Sequence, residues 1–150
     1  MIPANQREYQ KAFSQHLLAI QSIEKAKEAE KREAKKREFS ASCNLLLFYA
    51  VECGLKALHI RMKEKKTETK EIGHNLPLLV RELKINPKTI PNIQLRFRLP
   101  NNKKRWDVDE IHQAWRYGVE IDPTDEQTIV DWLKDLCKWI KNRINERGLL

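Results

Sequence analysis

Apolar positions recur at helical spacing along most of this chain. Tyr9, Phe13, Leu17, Ile20 and Ile23 fall four, four, three and three residues apart and predict one face of a first helix. From Glu24 to Glu38 the pattern gives way to Lys, Arg, Glu and Ala, with opposite charges often three or four apart. Each such pair supports a solvated helix by about 0.2–0.5 kcal/mol, so the stretch reads as an exposed helical extension. Ser40 or Ser42 is placed to cap a second helix running to about Lys65. Between Leu45 and Val51 that helix is apolar on almost every side, which predicts the central, most buried element. Two features inside it carry a physical penalty. Gly54 in mid-helix costs about 1 kcal/mol relative to Ala, which points to close approach by another helix. Glu52 and Lys56, four apart, would be expensive to bury unless well hydrogen-bonded.

Beyond a basic loop at 63–70, Asn75 can cap a third helix, with Pro77 in its first turn and Leu76, Leu79, Val80 and Leu83 as its apolar stripe. Pro87, Pro91 and Pro100 predict an irregular connection, within which residues 93–99 alternate apolar and polar as a short extended segment. Asn101, Asn102 and Lys103 to Arg105 suit an exposed turn. A fourth helix starts at Asp107 or Asp109 and stops at Gly118, where glycine takes the left-handed cap conformation. Asp122, Pro123 and Thr124 open a last helix striped by Ile129, Trp132, Leu133, Leu136, Trp139, Ile140 and Ile144. Trp132 and Trp139 read as core or dimer-interface residues.

Length and composition narrow this picture. The chain has 150 residues, is 41% hydrophobic and 33% charged, and holds only 4 Gly and 6 Pro, which fits one helical domain rather than a sandwich or barrel. Its longest apolar run, about seven residues, is far short of the roughly 20 that span a bilayer, and its polar start predicts no secretory signal. Cys43, Cys53 and Cys137 form no CxxC, so reduced, buried thiols in a cytoplasmic protein are expected, with no metal and no cofactor. The net charge of +8 is unevenly spread: residues 61–105 hold 13 Lys and Arg against 4 Glu, while residues 106–150 hold 6 against 10 Asp and Glu. A basic middle beside an acidic end favours a polyanionic partner on one surface, RNA above all. Lys63, Lys65, Lys66, Lys70, Arg96, Arg98, Lys103, Lys104 and Arg105 are the expected contact residues.

Three blocks stand out by order and spacing: Glu52-Cys53-Gly54-Leu55-Lys56-Ala57-Leu58, then His74-Asn75-Leu76-Pro77-Leu78-Leu79, then Trp115-Arg116-Tyr117-Gly118. In that sequence they resemble the HEPN family of small all-α domains, over roughly residues 38–145, with Asn75 where the family usually has Asp. The resemblance implies an all-α bundle of about five helices with a short irregular or extended insertion near 86–104. Residues 1–37 would form an N-terminal helix with its charged extension, and 38–145 the family-like core of a single domain. It also implies a homodimer, or a subunit of a larger complex, in a prokaryotic defence or toxin–antitoxin setting, with a nucleotidyltransferase as one possible partner.

Many HEPN domains are ribonucleases whose signature is Arg, four to six residues, then His, repeated across a dimer. Imidazole moves a proton at the ribose 2′-hydroxyl or leaving oxygen, and guanidinium stabilises charge on phosphorus. Here Arg105 and His112 are the match, although chance alone supplies about one such pair in a chain of this composition. Trp106 follows the arginine where the family has a small polar residue, and Tyr117 lies too far from His112 for the His-x-Tyr ending of toxin-type members. The resemblance therefore implies a catalytically degenerate module that binds RNA or a partner enzyme. The alternatives are a dimeric endoribonuclease using Arg105 and His112, and a helical small subunit of a ribonucleoprotein. Arg116 and Tyr117 could hold a nucleotide by phosphate pairing and ring packing. His74 reads as a capping residue, since proton transfer there would need an acid or a second histidine, and neither is near in sequence.

Overall fold

The computed structural model describes residues 4–64, 72–91 and 95–146. Five helices dominate: α1 Gln6–Ala29, α2 Glu33–Met62, α3 Leu76–Glu82, α4 Ile111–Tyr117 and α5 Pro123–Glu146. A two-stranded antiparallel hairpin, β1 Arg96–Arg98 and β2 Arg105–Asp107, sits between α3 and α4. The all-α expectation holds, and the extended insertion is this hairpin.

α1 begins at a capping box, in which the Asn5 side chain accepts from the Glu8 amide at 2.9 Å and Glu8 returns a contact to the Asn5 amide at 3.2 Å. Its apolar stripe lies along α2, and Phe13 is fully buried. The charged stretch departs from expectation. It is not one helical extension, because the chain turns at residues 30–32 and α2 begins at Glu33 rather than at Ser40 or Ser42. The Glu30 carboxylate accepts from the Arg32 amide at 3.0 Å and from its Nε at 2.9 Å, holding the backbone extended there. No Gly or Pro marks that turn, so hydrophobic periodicity alone passes over it. The boundary expected near residue 38 falls inside α2, and α1 packs on α2 as part of the same helical body.

α2 is the central element, touching α1, α3, α4 and α5 and buried without interruption from Val51 to Ile60. Taken whole, α2 is long and apolar enough by composition to cross a membrane, but its most apolar window is 67% buried within the fold. Gly54 explains part of that packing. A Cβ there would lie 2.7 Å from Ile140 Cγ2 of α5 and 3.0 Å from Phe13 Cδ1 of α1, so its lost helix propensity makes room for two neighbouring helices.

The third helix is capped as its sequence predicts, with Asn75 accepting from the Leu78 amide at 3.1 Å. The start expected for the fourth helix is corrected. Asp107 closes β2, a 3-10 turn covers Val108–Glu110, and α4 begins only at Ile111. Cross-strand pairing of Phe97 with Trp106 draws Arg105, expected in a turn, and Asp107, expected as a cap, into a strand opposite the extended segment. Gly118 ends α4 at φ +69°, in the left-handed region. Arg98 ties the hairpin to α5, donating from its amide and its Nε to Asp125 at 2.9 and 3.2 Å.

Gly54→Ala is expected to destabilise the protein by up to about 2 kcal/mol, because overpacking of about 1–3 kcal/mol is offset by only about 1 kcal/mol of regained helix propensity. Urea unfolding of the variant checks this, and an increase in stability would show that α2, α1 and α5 are less closely packed than described.

Candidate functional site

The buried stretch of α2 contains two charges. Glu52 and Lys56 are 7% and 5% exposed, and Lys56 Nζ lies 3.5 Å from Glu52 Oε2. The ring of Tyr9 lies 5.6 Å from the same ammonium. An ion pair in this position is costly to desolvate, and removing one partner alone costs about 3–5 kcal/mol. Glu52 therefore needs more than Lys56, and its other oxygen has it: Oε1 lies 2.5 Å from Nδ1 of His74, at the entrance to α3. An ionised carboxylate only accepts, so Nδ1–H donates and Nε2 is left for other work. The His74 side chain is 49% exposed. A half-exposed imidazole backed by a buried carboxylate is an arrangement that can exchange protons with a ligand.

His112 of α4 lies beneath it. Its ring centroid is 4.4 Å from that of His74 and 5.0 Å from that of Phe48, and the residue is 4% exposed. Among the described residues its Nδ1 makes no hydrogen bond of normal geometry. Burial, then the nearby charge of His74, pulls its pKa down to about 4; the Asp109 backbone opposes this, and Arg116 adds to it. Arg116, one turn further along α4, is exposed and donates from Nη2 to the Tyr49 hydroxyl of α2. Two further groups face the cluster. His16 of α1 has its pKa lowered by burial against the pull of Glu52, and Asp109 has its pKa raised by burial although His74 opposes this. The result is a rim of one guanidinium, Arg116, and one half-exposed imidazole, His74, over a buried carboxylate and a buried neutral imidazole.

The sequence-predicted residues distribute unevenly around this site. Arg105 lies exposed on β2 opposite Arg98, while His112 packs against Phe48 and His74; among the described residues no hydrogen bond, ion pair or ring contact joins them. Of the basic residues, Lys65, Lys66 and Lys70 lie outside the described residues. Lys63 pairs with Glu82 at 3.4 Å, Arg96 with Asp107 at 3.3 Å and Arg98 with Asp125 at 3.2 Å. Lys103, Lys104 and Arg105 are exposed at the hairpin turn. Arg116 sits at the site, and Tyr117, 71% exposed, has its ring 6.0 Å from the Arg116 guanidinium. No group of three or more His, Cys, Asp or Glu among the described residues is arranged to hold a metal ion.

Comparison with known proteins gives no relative. No family model matches the chain, and neither a curated protein nor a solved structure matches it. The HEPN likeness therefore rests on the three sequence blocks. Those blocks meet in space: Glu52 from the first, His74 from the second and Arg116 from the third all border the His112 ring or its direct neighbours. The acid and the second histidine missing from the neighbourhood of His74 in sequence are supplied from 22 residues upstream and from α4. Tyr49, His16 and Asp109 carried no signal of their own. The usable sign was a charged pair inside an otherwise apolar helix.

The depressed His112 pKa fixes a pH dependence. The folded protein keeps this ring neutral to about pH 4, whereas an ordinary histidine takes its proton near 6.5. Its contribution to stability is whole above about pH 6.5 and is lost as pH falls toward 4, on a scale of roughly 3 kcal/mol. Urea unfolding at pH 7 and pH 4 should show that loss in the native protein and a difference smaller by about 2–3 kcal/mol in His112→Phe. An identical pH dependence in both would contradict this burial.

Proposed function

We propose that this chain is a HEPN-like helical module that binds RNA and moves protons at its phosphodiester backbone through His74. The observation that carries the reading is the half-exposed His74 ring held by buried Glu52 at 2.5 Å, with exposed Arg116 in the same cluster. Glu52 fixes the ring and its tautomer, leaving Nε2 to take the proton of a ribose 2′-hydroxyl. That oxygen then attacks phosphorus, the bond to the 5′-oxygen breaks, and the departing oxygen recovers a proton from the imidazolium or from water. The Arg116 guanidinium suits the charge that builds on the non-bridging oxygens. Lys103, Lys104 and Arg105 supply backbone affinity outside the reacting centre. The defence or toxin–antitoxin setting and the homodimer follow from the family likeness alone.

A second reading, RNA binding without turnover, is favoured by the burial of His112. It leaves one exposed imidazole in the cluster, where cleavage by 2′-hydroxyl attack uses both a base and an acid.

Incubation of a labelled structured RNA with the protein in EDTA separates them. The first reading expects cleavage that falls about 10²–10⁴-fold in His74→Ala and about 10²-fold or more in Arg116→Ala. Arg105→Ala should weaken binding without slowing the reaction at saturating RNA. RNA retained uncleaved would leave the second reading, and RNA neither bound nor cleaved would sink both.

A further inference from the structure

A second feature borders α4 on its other side. Helical spacing directs His112 and Arg116 to the histidine cluster, and Gln113 and Tyr117, one position on, to a shallow groove of about 240 Å³. Buried Phe97 lies at its floor, with its ring stacked on that of Trp106 at 6.1 Å. Leu99 and Trp106 line it from the hairpin, Tyr117 and Val119 from the end of α4. Tyr117 and Val119 are among the few large hydrophobic side chains left exposed. An apolar slot of this kind fits a flat aromatic ring, and the charge around it says which kind. Lys104 Nζ lies 5.0 Å from the Trp106 ring, Arg116 lies 6.0 Å from the Tyr117 ring, and Lys103 and Arg105 flank the hairpin turn. Aromatic faces bordered by cations are what an unpaired base and its phosphates require.

We infer that the groove between Trp106 and Tyr117 holds one unpaired base of a single-stranded RNA, with Lys104, Arg105 and Arg116 on the adjoining phosphates. The inference rests on the RNA reading above and deepens it. Bases inside a duplex are stacked and cannot enter, so the slot selects single-stranded or looped RNA. Glu110 and Gln113 in the lining offer acceptor and donor atoms to the edge of the base. Because Arg116 borders both features, a base held here brings its own backbone toward His74.

Fluorescence anisotropy with a labelled single-stranded 12-mer of adenosine, and with the same strand in a duplex, tests it. Tyr117→Ala and Trp106→Leu, each confirmed folded by circular dichroism, should weaken binding of the single strand about 5- to 150-fold. Their duplex binding should be unchanged. Lys104→Ala should weaken both probes. A native protein that binds both probes, with Tyr117→Ala and Trp106→Leu indistinguishable from it, would overturn the base site while leaving RNA binding in place. Binding of neither RNA would remove the RNA reading and this site with it. Sedimentation showing a dimer that Tyr117→Ala dissociates would give the groove to a second copy of the chain and likewise overturn the proposal.

Discussion

A carboxylate sealed inside an apolar helix needs partners, and the arrangement around Glu52 follows from that need. α2 is buried on all sides from Val51 to Ile60, so water has little access to the charge. Lys56 one turn away meets one oxygen, and the chain returns after α2 to bring His74 onto the other. A local interaction within one helix thus becomes a tertiary constraint that fixes the entrance to α3. Asn75 caps that helix immediately beside the histidine, so the backbone carrying His74 is held from both sides.

The same constraint carries a buried charge to the surface. Glu52 is inside, His74 is half outside, and the 2.5 Å contact between them couples the interior to whatever meets the ring. His112 closes the cluster from α4, kept neutral by burial and by the neighbouring positive charges. α4 is only seven residues long, yet it serves two surfaces. One face completes the histidine cluster and the next borders the Trp106–Tyr117 groove. Gly118 stops the helix immediately after Tyr117 and leaves that ring exposed.

Much of the fold was legible because hydrophobic spacing and cap residues act locally. The buried centre of α2, the Asn75 cap, the Gly118 stop and the α5 stripe all followed from neighbours within a few positions. The turn at Glu30 was not legible, since it is made by a Glu–Arg contact in a stretch whose charges also suit a continuous helix. The second strand was missed for a related reason. Arg105–Asp107 is extended only because Phe97 and Trp106 pair across the hairpin. At the candidate site the sequence named Glu52, His74, His112 and Arg116, each for a separate reason, but not their convergence. Spacing rules reach one or two helical turns, and the Glu52–His74 contact spans 22 residues and two elements. Of the basic residues named from sequence, Lys63, Arg96 and Arg98 are each paired with a carboxylate, Lys103, Lys104 and Arg105 are exposed at the hairpin turn, and Lys65, Lys66 and Lys70 lie outside the described residues.

The most direct test of this account is a long-range proton–nitrogen correlation spectrum of the histidine rings, taken where His74 is neutral. The account predicts that His74 carries its proton on Nδ1, held by Glu52, with Nε2 bare. A His74 ring protonated on Nε2 with Nδ1 bare would contradict it, because the buried carboxylate would then have no donor from the entrance to α3 and the proton-exchange site would lose its base.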